Sequence, residues 1–86
     1  MKVHVTSVLF EYTGNRSEVE ARGSTLGGVL TDLERRHPGL RFRVVDEQDR
    51  IRQHMSVFVA GRPTRELGAR VGPDDEIHIV QALSGG

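Results

Sequence analysis

The sequence predicts an α+β domain in which one helix covers one face of a mixed sheet. Three observations carry this. Both ends of the chain alternate apolar and polar residues with the period of a strand, one central segment carries a helical stripe, and the 86 residues leave room for a single economical core.

Val3, Val5, Ser7 and Leu9 share one phase of a period-two pattern, so an opening strand is expected with Val3 and Val5 inward. Thr13-Gly14-Asn15 supplies turn residues. Ser17, Val19 and Ala21 return in one phase with Glu18 and Glu20 in the other, which predicts an antiparallel partner strand at a solvated edge. Arg22-Gly23-Ser24-Thr25 breaks the alternation, and Leu26, Val29, Leu30 and Leu33 then follow at i, i+3, i+4 and i+7. This is an amphipathic helix capped by Ser24 or Thr25. Gly27 and Gly28 weaken its first turn by about 1 kcal/mol each, a cost that predicts close approach of the helix start to the sheet. Pro38-Gly39 ends it.

Leu40, Phe42 and Val44 alternate with Arg41 and Arg43, the pattern of a short extended segment, and Asp46-Glu47-Gln48-Asp49 reads as a polar turn. Met55 to Ala60 is a strand with Val57 and Val59 inward, closed by Gly61-Arg62-Pro63 as a turn. Glu66 to Val71 is a loop or helical turn, and Gly72-Pro73-Asp74-Asp75 is a turn. Glu76 to Val80 is the last strand, with Ile77 and Ile79 inward. The order is hairpin, helix, one or two further strands and final strand. With the first and last strands parallel and adjacent at the centre, this is the β-grasp arrangement, which leaves one sheet face open. Residues 1–81 form the domain and residues 82–86 a flexible tail.

Composition narrows the function. Twelve basic and twelve acidic residues cancel, which removes the strong field that non-specific binding to nucleic acid or anionic membranes exploits. Cysteine is absent, so no thiol nucleophile, zinc-thiolate site or persulfide can form on a side chain. Met1 to Thr6 alternates instead of forming a signal-peptide core, and no apolar run approaches membrane-spanning length; a cytoplasmic protein is expected. No nucleophile, base and orienting group assemble in the pattern, so catalysis by the chain itself is not expected. Attention falls instead on Ala82-Leu83-Ser84-Gly85-Gly86, where two residues without side chains carry the last carboxylate. Glycine at 85 and 86 admits a narrow channel without Cβ clashes and leaves the reacting carbonyl unhindered.

Val57 to Arg62, the acidic turn Gly72 to Ile77 and the ending Ala82 to Gly86 together resemble the ubiquitin-like sulfur carriers, the MoaD/ThiS family that includes the small subunit of molybdopterin synthase. Ala60 departs from that pattern, since many relatives carry Asn before the turn glycine. The resemblance implies that an E1-like adenylating enzyme activates the Gly86 carboxylate with ATP. Sulfur from a persulfide donor then converts it to a thiocarboxylate. A biosynthetic enzyme, in the first instance the large subunit of molybdopterin synthase, receives the sulfur. Thiamine, cysteine or specialised-metabolite synthesis are the alternatives, followed by a ubiquitin-like modifier and by an interaction module with an inert tail. The carrier would be a protein co-substrate that holds no cofactor permanently.

Phe58, His78 and Val80 fall in the outward phase of strands that are neighbours in this fold, and with Arg62 they are the expected partner-docking residues. His4 and His78 share that face, but the sequence places no carboxylate or third histidine beside them, so a metal site is not expected. Arg35, Arg36, Arg41 and Arg43 cluster around the helix end, where cations oppose the helix dipole or meet an acidic partner.

Overall fold

The computed structural model describes residues 1–81; the tail residues 82–86, Gly85 and Gly86 among them, lie outside the described residues. The elements run β1 (Lys2–Val5), a 3-10 turn (Ser7–Leu9), α1 (Phe10–Thr13), β2 (Glu18–Glu20), α2 (Leu26–Arg36), α3 (Leu40–Val44), β3 (Met55–Val59), β4 (Arg62–Thr64) and β5 (Ile77–Gln81). The five strands form one sheet in the order β2-β1-β5-β3-β4. β1 and β5 are parallel, with Val3 opposite Ile77 and Val5 opposite Ile79, while the other pairs are antiparallel. This is the β-grasp arrangement expected from the sequence.

The alternation and the helical stripe both fold as their periods dictate. Val3, Val5, Val19, Val57, Val59, Ile77 and Ile79 are buried on one sheet face, against Leu26, Val29, Leu30 and Leu33 of α2. Each such side chain contributes about 1.5–3 kcal/mol on leaving water. Thr25 caps α2, its Oγ1 accepting from the Gly28 N–H at 3.1 Å. The preceding donors are taken by a loop: Leu26 N–H donates to the Ala69 carbonyl (2.9 Å) and Gly27 N–H to that of Leu67 (2.7 Å). Gly27 therefore makes room for this loop and not for the sheet, since a Cβ there would stand 3.2 Å from the Leu67 carbonyl oxygen, whereas a Cβ at Gly28 would stand 3.3 Å from the capping Thr25 Oγ1.

Three local expectations need correction. The first strand ends at Val5, and Ser7 to Thr13 are helical; Leu9 and Thr13 are buried one turn apart, a spacing that the period-two reading of Ser7 and Leu9 overlooked. The segment of Leu40, Phe42 and Val44 is likewise helical. Gly39 adopts φ 96°, and the Glu34 carboxylate accepts from both Gly39 N–H (2.9 Å) and Arg41 N–H (3.1 Å), which starts the turn. Leu40 and Val44 are buried at i and i+4, leaving Phe42 55% exposed. Finally, the turn after β3 is Ala60-Gly61, at φ 52° and 82°, so Arg62-Pro63-Thr64 forms an edge strand, a position that tolerates proline.

Candidate functional site: the open sheet face and the end of β5

Alternation along β1, β5 and β3 gives the sheet a second face without a helix. In register, His4 lies opposite His78, His78 opposite Phe58, Val80 opposite Ser56, and Phe58 opposite Pro63 of β4. Phe58 is half-buried, His78 is exposed, and Val80 is 36% exposed. The structure thus brings together Phe58, His78 and Val80 as the alternation predicts, and adds Pro63, which the turn reading had hidden. Arg62 does not join them: it pairs with the inward Val59 and so falls in the opposite phase, exposed at the sheet edge. β5 runs to Gln81, which pairs with Met55, so residues 82–86 are attached at the end of the sheet formed by the start of β3.

The histidines are fixed by their neighbours. Their rings stack with centroids 4.3 Å apart and planes 13° apart. His4 Nε2–H donates to Glu76 Oε1 at 2.6 Å, while its Nδ1 lies 3.8 Å from Glu18 Oε1. This hydrogen bond from His4 holds the Glu76 carboxyl below its ordinary value; partial desolvation opposes it, and the charges of His4, Lys2 and His78 reinforce it. The carboxylate missing from the sequence reading is therefore present: His4, Glu76 and His78 offer three ligand-type atoms within 4.8 Å of one another. Nevertheless, ring lone pairs lie in the ring planes, and stacked, nearly parallel rings do not converge on one ion about 2 Å from each nitrogen. The arrangement is a hydrogen-bonded stack.

The basic cluster resolves into separate parts. Asp32 accepts from Arg35 Nη2 (2.6 Å), Arg36 Nε (2.8 Å) and the Arg22 backbone N–H (2.8 Å), tying the helix to the connection that leads into it from β2. With the Arg35 contact the largest influence, its carboxyl is lowered to about 2. Arg41 pairs with Asp49 at 3.3 Å. Sequence reasoning missed Arg65, whose guanidinium donates to the carbonyls of Met55 (3.0 Å), Ile51 (2.7 Å) and Arg52 (2.8 Å). One side chain thus secures the loop that enters β3; its single signal in the sequence was being one arginine among eleven.

The open face, the central parallel pair and the position of the last strand are those of a ubiquitin-like fold, and the model of the ThiS family matches residues 3–86, through Gly86 itself. The chain belongs to the ThiS family. This bears out its resemblance to the ubiquitin-like sulfur carriers. A curated relative, the sulfur carrier protein CysO of Mycobacterium tuberculosis, is 28% identical over 89 residues, covering 98% of this chain and 96% of its own. Among solved structures, the BexX/CysO complex of Amycolatopsis orientalis contains a chain of TM-score 0.89 and 31% identity, with 99% of this chain and 98% of that one covered. SAMP1 of Haloferax volcanii matches with a TM-score of 0.76 and 30% identity over 100% of this chain and 98% of its own. No helix among the described residues of this ThiS-family chain is long and apolar enough to cross a membrane.

Proposed function

We propose that this protein is a sulfur carrier whose Gly86 carboxylate is activated by an adenylating partner and converted to a thiocarboxylate. The observation that carries the reading is the family match running through Gly85 and Gly86, on a fold whose last strand leads into them. A carboxylate is a poor electrophile until one oxygen becomes part of a leaving group. Attack of a Gly86 oxygen on the α-phosphorus of ATP forms the acyl-adenylate and releases pyrophosphate. A persulfide sulfur then displaces AMP, and reductive cleavage of the sulfur–sulfur bond by a thiol leaves the thiocarboxylate. The chain supplies no catalytic side chain, ATP is consumed by the partner, and the carrier acts as co-substrate. Phe58, His78, Val80 and Pro63 form the docking surface in this reading, and Ala82, Leu83 and Ser84 span the distance to the active site.

As to destination, the named carriers of similar length are CysO proteins. They favour sulfur supply to cysteine synthesis over the molybdopterin role expected from the sequence. A synthase large subunit that binds this chain and accepts its sulfur would restore the latter. A second reading, attachment of Gly86 to lysines of other proteins, is favoured by the likeness to a small archaeal modifier protein. ATP–pyrophosphate exchange by the cognate adenylating enzyme tests the shared first step. The full chain should support exchange, and the chain lacking Gly85 and Gly86 should not; equal exchange with both would leave the tail without a role.

A further inference from the structure

We propose that the surface formed by Phe42, Arg43, Arg52 and His54 is a second docking site, for an acidic segment of a partner protein that presents carboxylates beside an apolar side chain. These four residues line one shallow depression where the end of α3 meets the loop entering β3. Phe42 is the most exposed large apolar residue among those described, at 55%. The Arg52 guanidinium lies 4.6 Å from the centre of its ring, and Arg52 Nε donates to the Phe42 carbonyl at 2.8 Å. A guanidinium stacked in this way keeps its outer edge available for bidentate contact with a carboxylate.

Charge selects the occupant. Arg35, Arg36 and Arg41 are neutralised by Asp32 and Asp49, whereas Arg43 and Arg52 have no carboxylate within 4.0 Å among the described residues. Asp46 is the acid that senses Arg52, and its carboxyl is held down chiefly by hydrogen bonding from the Arg50 backbone. The site is also built in advance. Arg65 grips the carbonyls of Ile51, Arg52 and Met55, and Arg52 N–H donates to the Val44 carbonyl at 2.8 Å, so little ordering is needed on binding. Nucleic acid fits less well, because a backbone contact needs a row of cations and this patch offers two arginines in a chain of zero net charge.

Position gives the patch a role. His54 precedes Met55, the register partner of Gln81, so the patch stands at the sheet end to which residues 82–86 are attached. A partner that takes Gly86 into its active site would meet the patch with the rim of that site. The choice of partner rests on the carrier reading; the acidic specificity does not.

The test uses the full, 15N-labelled chain and needs no activation of Gly86, so its failure is separable from failure of the carrier reading. The probes are an acidic peptide of alternating glutamate and leucine, its glutamine counterpart, and polyuridine RNA, followed by amide shifts. The acidic peptide should perturb residues 41–45 and 51–55 and bind on the order of tenfold more weakly to Arg43→Glu and to Phe42→Ser. Phe42→Ser removes an exposed ring together with the Arg52 stack, whereas Arg43→Glu leaves that stack in place, so the two variants test the apolar and the charged part of the surface separately. Equal response to the glutamine peptide, perturbation elsewhere, or stronger binding of RNA would overturn the proposal.

Discussion

Ala60 occupies a backbone conformation that suits it poorly, and replacing it should stabilise the protein. Its φ of 52° lies in the left-handed region, where the Cβ of an L-residue crowds the following carbonyl at a cost of roughly 1–2 kcal/mol. Asparagine offsets part of that cost through local hydrogen bonding of its side chain. Ala60 is exposed, so substitution disturbs no packing, and the Ala60 N–H bond to the Glu76 carbonyl at 2.9 Å is backbone only. We expect Ala60→Asn to gain about 0.5–1 kcal/mol and raise Tm by roughly 4 °C, given about 4–8 °C per kcal/mol for a domain of this size. Ala60→Gly should gain less, because the freer unfolded chain takes back about 0.5–1 kcal/mol. Ala60→Val should lose about 1 kcal/mol or more, since a β-branched residue is a true outlier there. Thermal unfolding followed by circular dichroism reads all three. Identical Tm values for the Asn and Val variants would refute the left-handed assignment and the reasoning built on it.

Gly23→Ala should destabilise by about 1–3 kcal/mol, because its Cβ would stand 2.6 Å from the Val29 backbone nitrogen and 2.9 Å from the Gly28 carbonyl carbon, neither free to move; urea unfolding measures it. Asp32, lowered from 3.8 to about 2, binds protons more readily when unfolded, so its stabilising contribution is complete above pH 3.8 and disappears as pH falls through about 2. Asp32→Asn should therefore lose less stability than the wild type between pH 5 and acid, in unfolding curves compared across that range. Phe58→Ala should weaken docking by about 2 kcal/mol, roughly thirtyfold in Kd, if Phe58 is a hot spot, while leaving the fold intact; titration calorimetry with the adenylating partner and a melting curve separate the two effects.

The parts of the fold legible in the sequence were those with enough residues to establish a period. Ile77 and Ile79, Val57 and Val59, and the stripe from Leu26 to Leu33 all bury the side their spacing assigns. α3 was not legible, because three apolar residues at 40, 42 and 44 satisfy period two as well as the i, i+4 spacing of Leu40 and Val44. The deciding interaction is the Glu34 carboxylate on the backbone of Gly39 and Arg41, a contact no periodicity encodes. β4 was concealed by Pro63, a turn residue that edge strands also accept. At the open face, the Phe58–His78 pairing followed from alternation once the strand order was known. The Glu76–His4 bond joins residues 72 positions apart and required the parallel register itself.

Replacement of one oxygen of the Gly86 carboxylate by sulfur is read from the mass of the intact protein. The full chain and a form lacking Gly86 are incubated with the cognate adenylating enzyme, ATP and a persulfide donor. The full chain alone should gain the mass difference between sulfur and oxygen, and alkylation by a thiol-reactive reagent should then label it once, since the chain has no cysteine. An unchanged mass, with the same enzyme shown to thiolate another carrier, would mean that Gly86 does not carry sulfur.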